Sequence, residues 1–177
     1  STTGARSSHI RAANCAAHCD LHLRDFAAAR AGFQQAIQLN RAAGNWLDVA
    51  TNLSNLGQAW LWDGQPAAAV APLEEALRHA QDAEDELAVA EVMVHLGAAI
   101  AMTSDPIEGA ALCRDGGARA AATGLREAEL AHLLLLAELA HRSGDPARRE
   151  AAWLACVAAE AEFATPLLRS AYDALRP

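Results

Sequence analysis

The sequence of 177 residues contains no lysine, so all fourteen of its basic residues are arginines. The lack of lysine excludes Schiff-base chemistry and the lysine-containing loop that binds nucleotide phosphates. The formal net charge is −8, and a chain of this charge repels the phosphate backbone of nucleic acids. We therefore expect no direct contact with nucleic acid.

Long apolar runs and aromatic residues are also scarce. The most apolar run, LAHLLLLAELA at residues 130–140, is too short to cross a bilayer, so we expect no membrane span. No signal peptide is evident, and we expect a cytoplasmic domain that is a fragment of a larger protein. Aromatic residues make up only 5% of a chain that is 53% hydrophobic, which favours closely packed helices over a sheet. The composition predicts an all-α fold.

The chain repeats with a period of forty residues. One column of the repeat is always small: Ala17, Gly57, Gly97 and Ala137. Another column holds proline in three of its four rows: Phe26, Pro66, Pro106 and Pro146. Such a repeat predicts a solenoid, in which each unit completes its core only by stacking on its neighbours.

Each row divides into two predicted helices. In the second row, apolar residues at steps of three and four from Trp46 to Trp60 form one stripe of a helix. Gly64 then ends this helix, and Pro66 begins the next, since proline is well tolerated in a first turn. After the fourth row, Thr165 and Pro166 are typical of a helix start and predict a C-terminal capping helix.

The second row carries a recognisable family pattern. It reads Leu-Gly-x-x-aromatic, a turn, then Ala-x-x-x-large-x-x-Ala-Leu, at Leu56, Gly57, Trp60, Ala69, Leu73, Ala76 and Leu77. This pattern resembles the tetratricopeptide repeat (TPR). The forty-residue spacing is similar to that of the TPR domains of large bacterial transcriptional regulators and signalling ATPases.

The resemblance implies a right-handed α-solenoid of four TPR-like helix pairs plus the capping helix, in a single domain of residues 1–177. The predicted repeats are residues 7–44, 45–84, 85–124 and 125–164, and the capping helix is residues 165–176. Between the rows, we predict turns at Gly44, Asp85 and Gly124. Gly109, Gly116 and Gly117 lie inside the second helix of the third repeat, and we expect them to make that repeat the softest.

The resemblance also implies a non-catalytic scaffold that binds a protein or peptide, as the sensory or regulatory part of a larger bacterial regulator in transcription or signal transduction. The partner is then a separate protein or another domain of the parent chain, and no cofactor is expected. In TPR proteins the first helices of successive repeats line a groove. The corresponding positions here are Asn14, His18, Leu21, Thr51, Ser54, Gln58, Leu61, Glu91, Val94, Glu138 and His141, with Trp62 beside them as an anchor if it is exposed.

Two alternatives remain open from the sequence. Cys15, His18, Cys19 and His22 lie on one predicted helix, where pairs spaced by four could offer donors to a metal or sense redox state. One helix cannot surround an ion, however, and the competing interpretation buries Cys15 and Cys19 in the apolar stripe with both histidines outside it. The other alternative is self-association through the uncapped ends of the solenoid. Motifs for a nucleophilic serine or a dinucleotide are absent, and we predict no enzymatic activity.

Overall fold

The computed structural model describes residues 2–124, 126–144, 146–163 and 165–176. Over these residues the chain forms nine α-helices and a short 3-10 helix at Glu160–Glu162, without any strand. The helices are α1 (Thr2–His22), α2 (Phe26–Ala43), α3 (Trp46–Trp62), α4 (Pro66–Asp82), α5 (Glu86–Thr103), α6 (Pro106–Thr123), α7 (Arg126–Ser143), α8 (Pro146–Ala158) and α9 (Pro166–Leu175). The predicted all-α fold, a solenoid of repeated helices, is confirmed.

Each helix packs against the next one in the chain, and the first helices of successive pairs also meet. Contacts join α3 to α5 and α5 to α7. The main core runs through α1 to α7, and a second core cluster joins α7, α8 and α9 at the C-terminal end. The second helices begin at Phe26, Pro66, Pro106 and Pro146, which are forty residues apart. The ends of the predicted fourth repeat, Leu125 and Ala164, lie outside the described residues.

Each turn between helix pairs contains a residue in the left-handed backbone conformation. Gly44 and Gly124 have φ values of 75° and 78°, as expected for the predicted turns. The remaining turn between pairs also lies where it was predicted, since Asp85 falls between α4 and α5, and the left-handed residue in this turn is Glu84 with φ 53°. Asp85 caps α5, since its side chain accepts hydrogen bonds from the backbone N–H groups of Leu87 and Ala88.

Small residues allow the two helices of the third pair to touch backbone to backbone. A Cβ atom added to Gly97 would lie 2.4 Å from the backbone nitrogen of Cys113 and 2.6 Å from the carbonyl oxygen of Gly109. Gly109 and Gly116 are buried against α5 in the same way. The glycines that we expect to soften this pair therefore also permit its close packing.

One helix of the described chain, Glu86–Thr103, is long and apolar enough to cross a membrane by length and composition. The expectation of no membrane span was argued from the run at residues 130–140, and it stays a prediction. The same helix, α5, is 61% buried inside the protein, in contact with α3, α4, α6 and α7. A helix enclosed by four neighbours needs apolar residues on most of its surface, which accounts for its composition.

Candidate binding groove

The first helices α1, α3, α5 and α7 form what we call the inner surface, and two repeated polar contacts link its helices. Asn55 Nδ2 lies 3.0 Å from His18 Nε2 and joins α3 to α1. Gln58 Nε2 lies 3.0 Å from His95 Nε2 and joins α3 to α5. Each pair is separated by 37 residues along the chain, and the second pair lies forty residues after the first. One contact is therefore used twice by successive repeats.

His95 is the more deeply buried of these two histidines, with 1% of its surface exposed. Burial lowers its pKa from 6.5 to about 4, and a hydrogen bond with the backbone of Glu91 opposes the shift. The ring is therefore neutral at pH 7. The amide of Gln58 donates to Nε2, which assigns the ring proton to Nδ1.

The polar contact does not continue to the next pair of inner helices. Ala98 and Leu135, which occupy the equivalent positions forty residues further on, are both buried and apolar. On the α1 and α3 side, by contrast, Asn14 Oδ1 and Ser54 Oγ are buried and have no hydrogen-bond partner in the described part of the chain. The inner surface thus changes from polar at its N-terminal end to apolar at its C-terminal end.

The C-terminal helix α9 lies against the inner surface as well as on the last helix pair. Its Tyr172 ring stacks on Trp153 of α8 at 5.0 Å between centroids, as a capping helix requires. It also contacts both α7 and α1, the two ends of the inner surface. Arg24 Nη1, in the turn after α1, donates to Ser170 Oγ of α9 at 2.6 Å. The sequence predicts the cap but not this return to the first repeat.

Space remains on both sides of the C-terminal half of α9. One cavity of 210 Å³ lies between α9 and the C-terminal parts of α3, α5 and α7, and a more polar cleft of 780 Å³ opens towards α8. Glu138, Ala174 and Leu175 line both spaces. Trp62 lines the smaller cavity, and its indole Nε1 is buried without an acceptor among the described residues. The junction between α9 and the inner surface is therefore the candidate ligand site.

The structure places the twelve predicted groove residues in different environments. Four are buried: Leu21, Ser54, Leu61 and Val94. Six are half-buried: Asn14, His18, Gln58, Trp62, Glu91 and Glu138. Two are exposed: Thr51 and His141. The lining is thus less open than the resemblance implies, because the inner helices touch each other and α9 covers part of them. Their role in binding stays a prediction.

Sequence reasoning missed Asn55, His95 and the inner-facing residues of α9. A signal for the first two was present, because His18 and Gln58, like Asn55 and His95, stand forty residues apart in the repeat. A polar column inside an apolar stripe indicates partners on the neighbouring repeat. Nothing local in the sequence indicates that Ser170 meets Arg24.

The cysteine and histidine cluster of α1 does not form one site. Cys15 and Cys19 are exposed, whereas the His18 ring contacts Asn55 and meets the Phe33 ring edge-on at 5.3 Å. The interpretation that buries these cysteines is therefore wrong. The described residues contain no group of three or more His, Cys, Asp or Glu side chains arranged to hold a metal.

The two remaining thiols are buried and unreactive. Burial raises the pKa of Cys113 to about 12 and that of Cys156 to about 11, so both stay protonated at neutral pH. Cys113 Sγ lies 3.5 Å from His132 Nδ1, and Cys156 donates to the carbonyl oxygen of Leu133 at 3.6 Å. A redox-sensing role is not supported.

One part of the chain is similar to a known protein family. Residues 8–82, which span most of α1 and all of α2, α3 and α4, match the family model described as tetratricopeptide repeat. No curated protein matches the chain. The matched segment contains Leu56, Gly57 and Trp60, the residues that carry the resemblance in the sequence. The match supports a TPR assignment for these first two helix pairs, which make up less than half of the chain.

Proposed function

We propose that this chain is a non-catalytic module that binds a protein or peptide on its inner surface. TPR repeats generally mediate protein–protein interaction. The observation that carries the proposal is the position of α9, since a helix already rests on the inner helices with cavities of 210 and 780 Å³ beside it. A surface that accommodates one helix and leaves space next to it is suited to a peptide partner.

The surroundings of the titratable groups support a binding role over a catalytic one. His95 is buried and hydrogen-bonded to Gln58, and it is neutral down to pH values near 4. The thiols of Cys113 and Cys156 are buried, and their raised pKa values keep them protonated. General acid–base or nucleophilic catalysis needs a group poised near the working pH and within reach of a substrate.

We further propose that the module is the sensory or regulatory part of a larger cytoplasmic bacterial regulator. Its support is the forty-residue spacing of the helix pairs and the family pattern at Leu56, Gly57 and Trp60. In this role the partner is a separate protein or another domain of the parent chain, and neither nucleic acid nor a membrane is contacted directly. Self-association is a further interaction that sedimentation at several protein concentrations would test.

Two tryptophans at opposite ends of α3 provide a matched test. Trp62 lines the cavity under α9, whereas Trp46 is 54% exposed and stacks on the His79 ring at the other end of the helix. We expect a set of cell proteins to be captured by the unmodified chain and by Trp46→Ala. Capture should fall about tenfold with Trp62→Ala, the size of effect that an interface anchor produces.

Quantitative mass spectrometry of the captured proteins provides the measurement, and circular dichroism of each variant verifies its fold. Equal capture by the folded Trp62→Ala variant would refute binding at this part of the inner surface. Loss of capture with Trp46→Ala alone would place the binding site at the opposite edge.

A further inference from the structure

We propose that the inner surface recognises an amphipathic helix with the chemistry of α9, and that α9 covers this surface until such a helix replaces it. The proposal deepens the proposed function and rests on it. It assigns to the surface both a class of partner and a means of regulation. Four features of the structure support it.

The first is that α9 shows which helix fits. Leu167, Leu168 and Tyr172 are 1%, 2% and 1% exposed. Leu167 belongs to the main core together with Leu61 and Leu135 of the inner helices. Leu168 and Tyr172 pack instead in the C-terminal cluster formed by α7 and α8. A fitting helix therefore carries two adjacent leucines and an aromatic residue five positions after the first.

The second is the charge beside this helix. Arg169 Nη2 and Arg176 Nη2 of α9 lie 3.3 Å and 3.7 Å from Glu160 Oε1, on the short segment that precedes the helix. Glu138 and Glu150 line the cleft on the α8 side, together with one basic residue of α8, Arg149. A partner helix with arginine or lysine next to its apolar face would meet acidic groups in a chain whose net charge is −8.

The third is that the C-terminal half of α9 leaves the surface incompletely filled. Ala174 and Leu175 border cavities on both sides of the helix. Among the described residues, the indole Nε1 of Trp62 has no acceptor although it is buried at the smaller cavity, and such an unpaired donor is unfavourable. A helix with larger side chains at these positions and an acceptor for the indole would fill the surface better than α9 does.

The fourth is that α9 is short and its polar attachment to α1 is exposed. It has ten residues, fewer than the roughly 12–15 that an isolated helix needs for marginal stability in water. Its hydrogen bond to the first repeat, from Arg24 to Ser170, lies at the surface. Because α9 is part of the same chain, its effective concentration at the surface is on the order of millimolar, which explains how a weak helix can stay bound.

The test uses a fluorescein-labelled peptide with the sequence of residues 165–176. The intact chain should bind the peptide weakly, because its own α9 competes. Leu167→Ser removes the leucine that α9 places in the main core, so this variant should bind the unmodified peptide about tenfold more tightly or better, as loss of an intramolecular competitor predicts. Fluorescence anisotropy measures both affinities.

Two controls accompany this measurement. Asp173 is an exposed residue of the same helix, so Asp173→Ser should bind the peptide no better than the intact chain does. A peptide that itself carries Leu167→Ser should not bind the Leu167→Ser chain. Equal affinity of the folded Leu167→Ser chain and the intact chain for the unmodified peptide would overturn the proposal.

If Leu167→Ser does not fold, hydrogen exchange of the unmodified chain decides. We expect the amides of α9 to exchange through local opening, about tenfold or more faster than those of α3 and α5. Exchange of α9 only through global unfolding would show that it is a permanent cap and would overturn the proposal. If α9 is a permanent cap but capture still depends on Trp62, the proposed function stands. If capture does not depend on Trp62, the proposed function is refuted, whether or not α9 opens.

Discussion

At the scale of single residues, the inner surface depends on two polar pairs that each contain a histidine. His95 is buried and hydrogen-bonded to Gln58, and the charged form of its ring would lose its hydration there. Burial therefore moves the pKa of His95 down to about 4, below its value of 6.5 in an unfolded chain. The unfolded chain then binds a proton more readily than the folded chain does.

This difference predicts how stability depends on pH. Above pH 6.5 both states leave His95 neutral, so the residue adds no pH dependence. As the pH falls from 6.5 towards 4, protonation favours the unfolded chain, and by pH 4.5 the free energy of unfolding should have dropped by roughly 2–3 kcal/mol from this residue. Urea denaturation at pH 7 and pH 4.5 measures the loss.

The variant His95→Gln cannot titrate and should lose this part of the pH dependence. His141 is exposed at the end of α7, so His141→Gln serves as the control and should behave like the unmodified chain. A full drop between pH 7 and pH 4.5 in His95→Gln would contradict the role of His95.

At the scale of helices, the effect of enlarging a glycine depends on whether backbone or side-chain atoms of the other helix in the pair lie opposite it. Gly97 of α5 faces backbone atoms of α6, whereas Gly57 of α3 faces the side chain of Leu73, whose Cγ would lie 2.4 Å from an added Cβ. A side chain can change rotamer, but a backbone moves only with its helix. A larger residue at this column of the repeat is therefore tolerated better in the second pair, at Gly57, than in the third pair, at Gly97.

We expect Gly97→Ala to destabilise the protein by about 3 kcal/mol, the upper part of the usual range for overpacking. Gly57→Ala should cost about 1 kcal/mol or less, because Leu73 can shift and alanine favours the helix. Urea unfolding of the two variants at pH 7 tests this order. Similar losses in both would show that the backbone contact between α5 and α6 relaxes as easily as a leucine side chain.

At the scale of the whole molecule, α9 connects the last repeat to the first, which an open row of repeats does not do. In a simple solenoid each repeat contacts only its neighbours. Here residues 24 and 170, separated by 146 positions, share a hydrogen bond, and Leu167 joins the core of the inner helices. The two ends of the chain are therefore coupled through the inner surface.

A double-mutant cycle on Arg24→Ala and Ser170→Ala measures this coupling. The interaction energy should be about 0.5–1.5 kcal/mol, the usual net contribution of a hydrogen bond. Arg24→Ala combined with Asp173→Ser serves as the control and should be additive, since Asp173 bonds within α9 to Arg169. Additive effects of Arg24→Ala and Ser170→Ala would mean that the ends of the chain do not influence each other.

Much of the fold could be predicted from local patterns. Pro66, Pro106 and Pro146 each begin a helix where the forty-residue repeat places them, because proline fixes a backbone angle that suits a first turn. The left-handed conformation of Glu84 was harder to predict, since a non-glycine residue with positive φ leaves little trace in the sequence.

The candidate groove was less predictable than the helices that form it. Thr51 and Leu61 are both predicted to line the groove from α3, yet Thr51 is exposed and Leu61 is buried. The difference arises from packing between helices and from the cover that α9 provides. Neither contact follows from the spacing of residues within a repeat.

Helicity, the start of most helices and the apolar face of each helix follow from the amino-acid sequence alone. These properties depend on residues a few positions apart, which turn chemistry and helical periodicity encode directly. The contact of His95 with Gln58, the glycine contact between α5 and α6, and the return of α9 to the turn after α1 arise only when the helices pack. Such contacts depend on the packing of distant segments, because burial is a property of the assembled helices and not of any one of them.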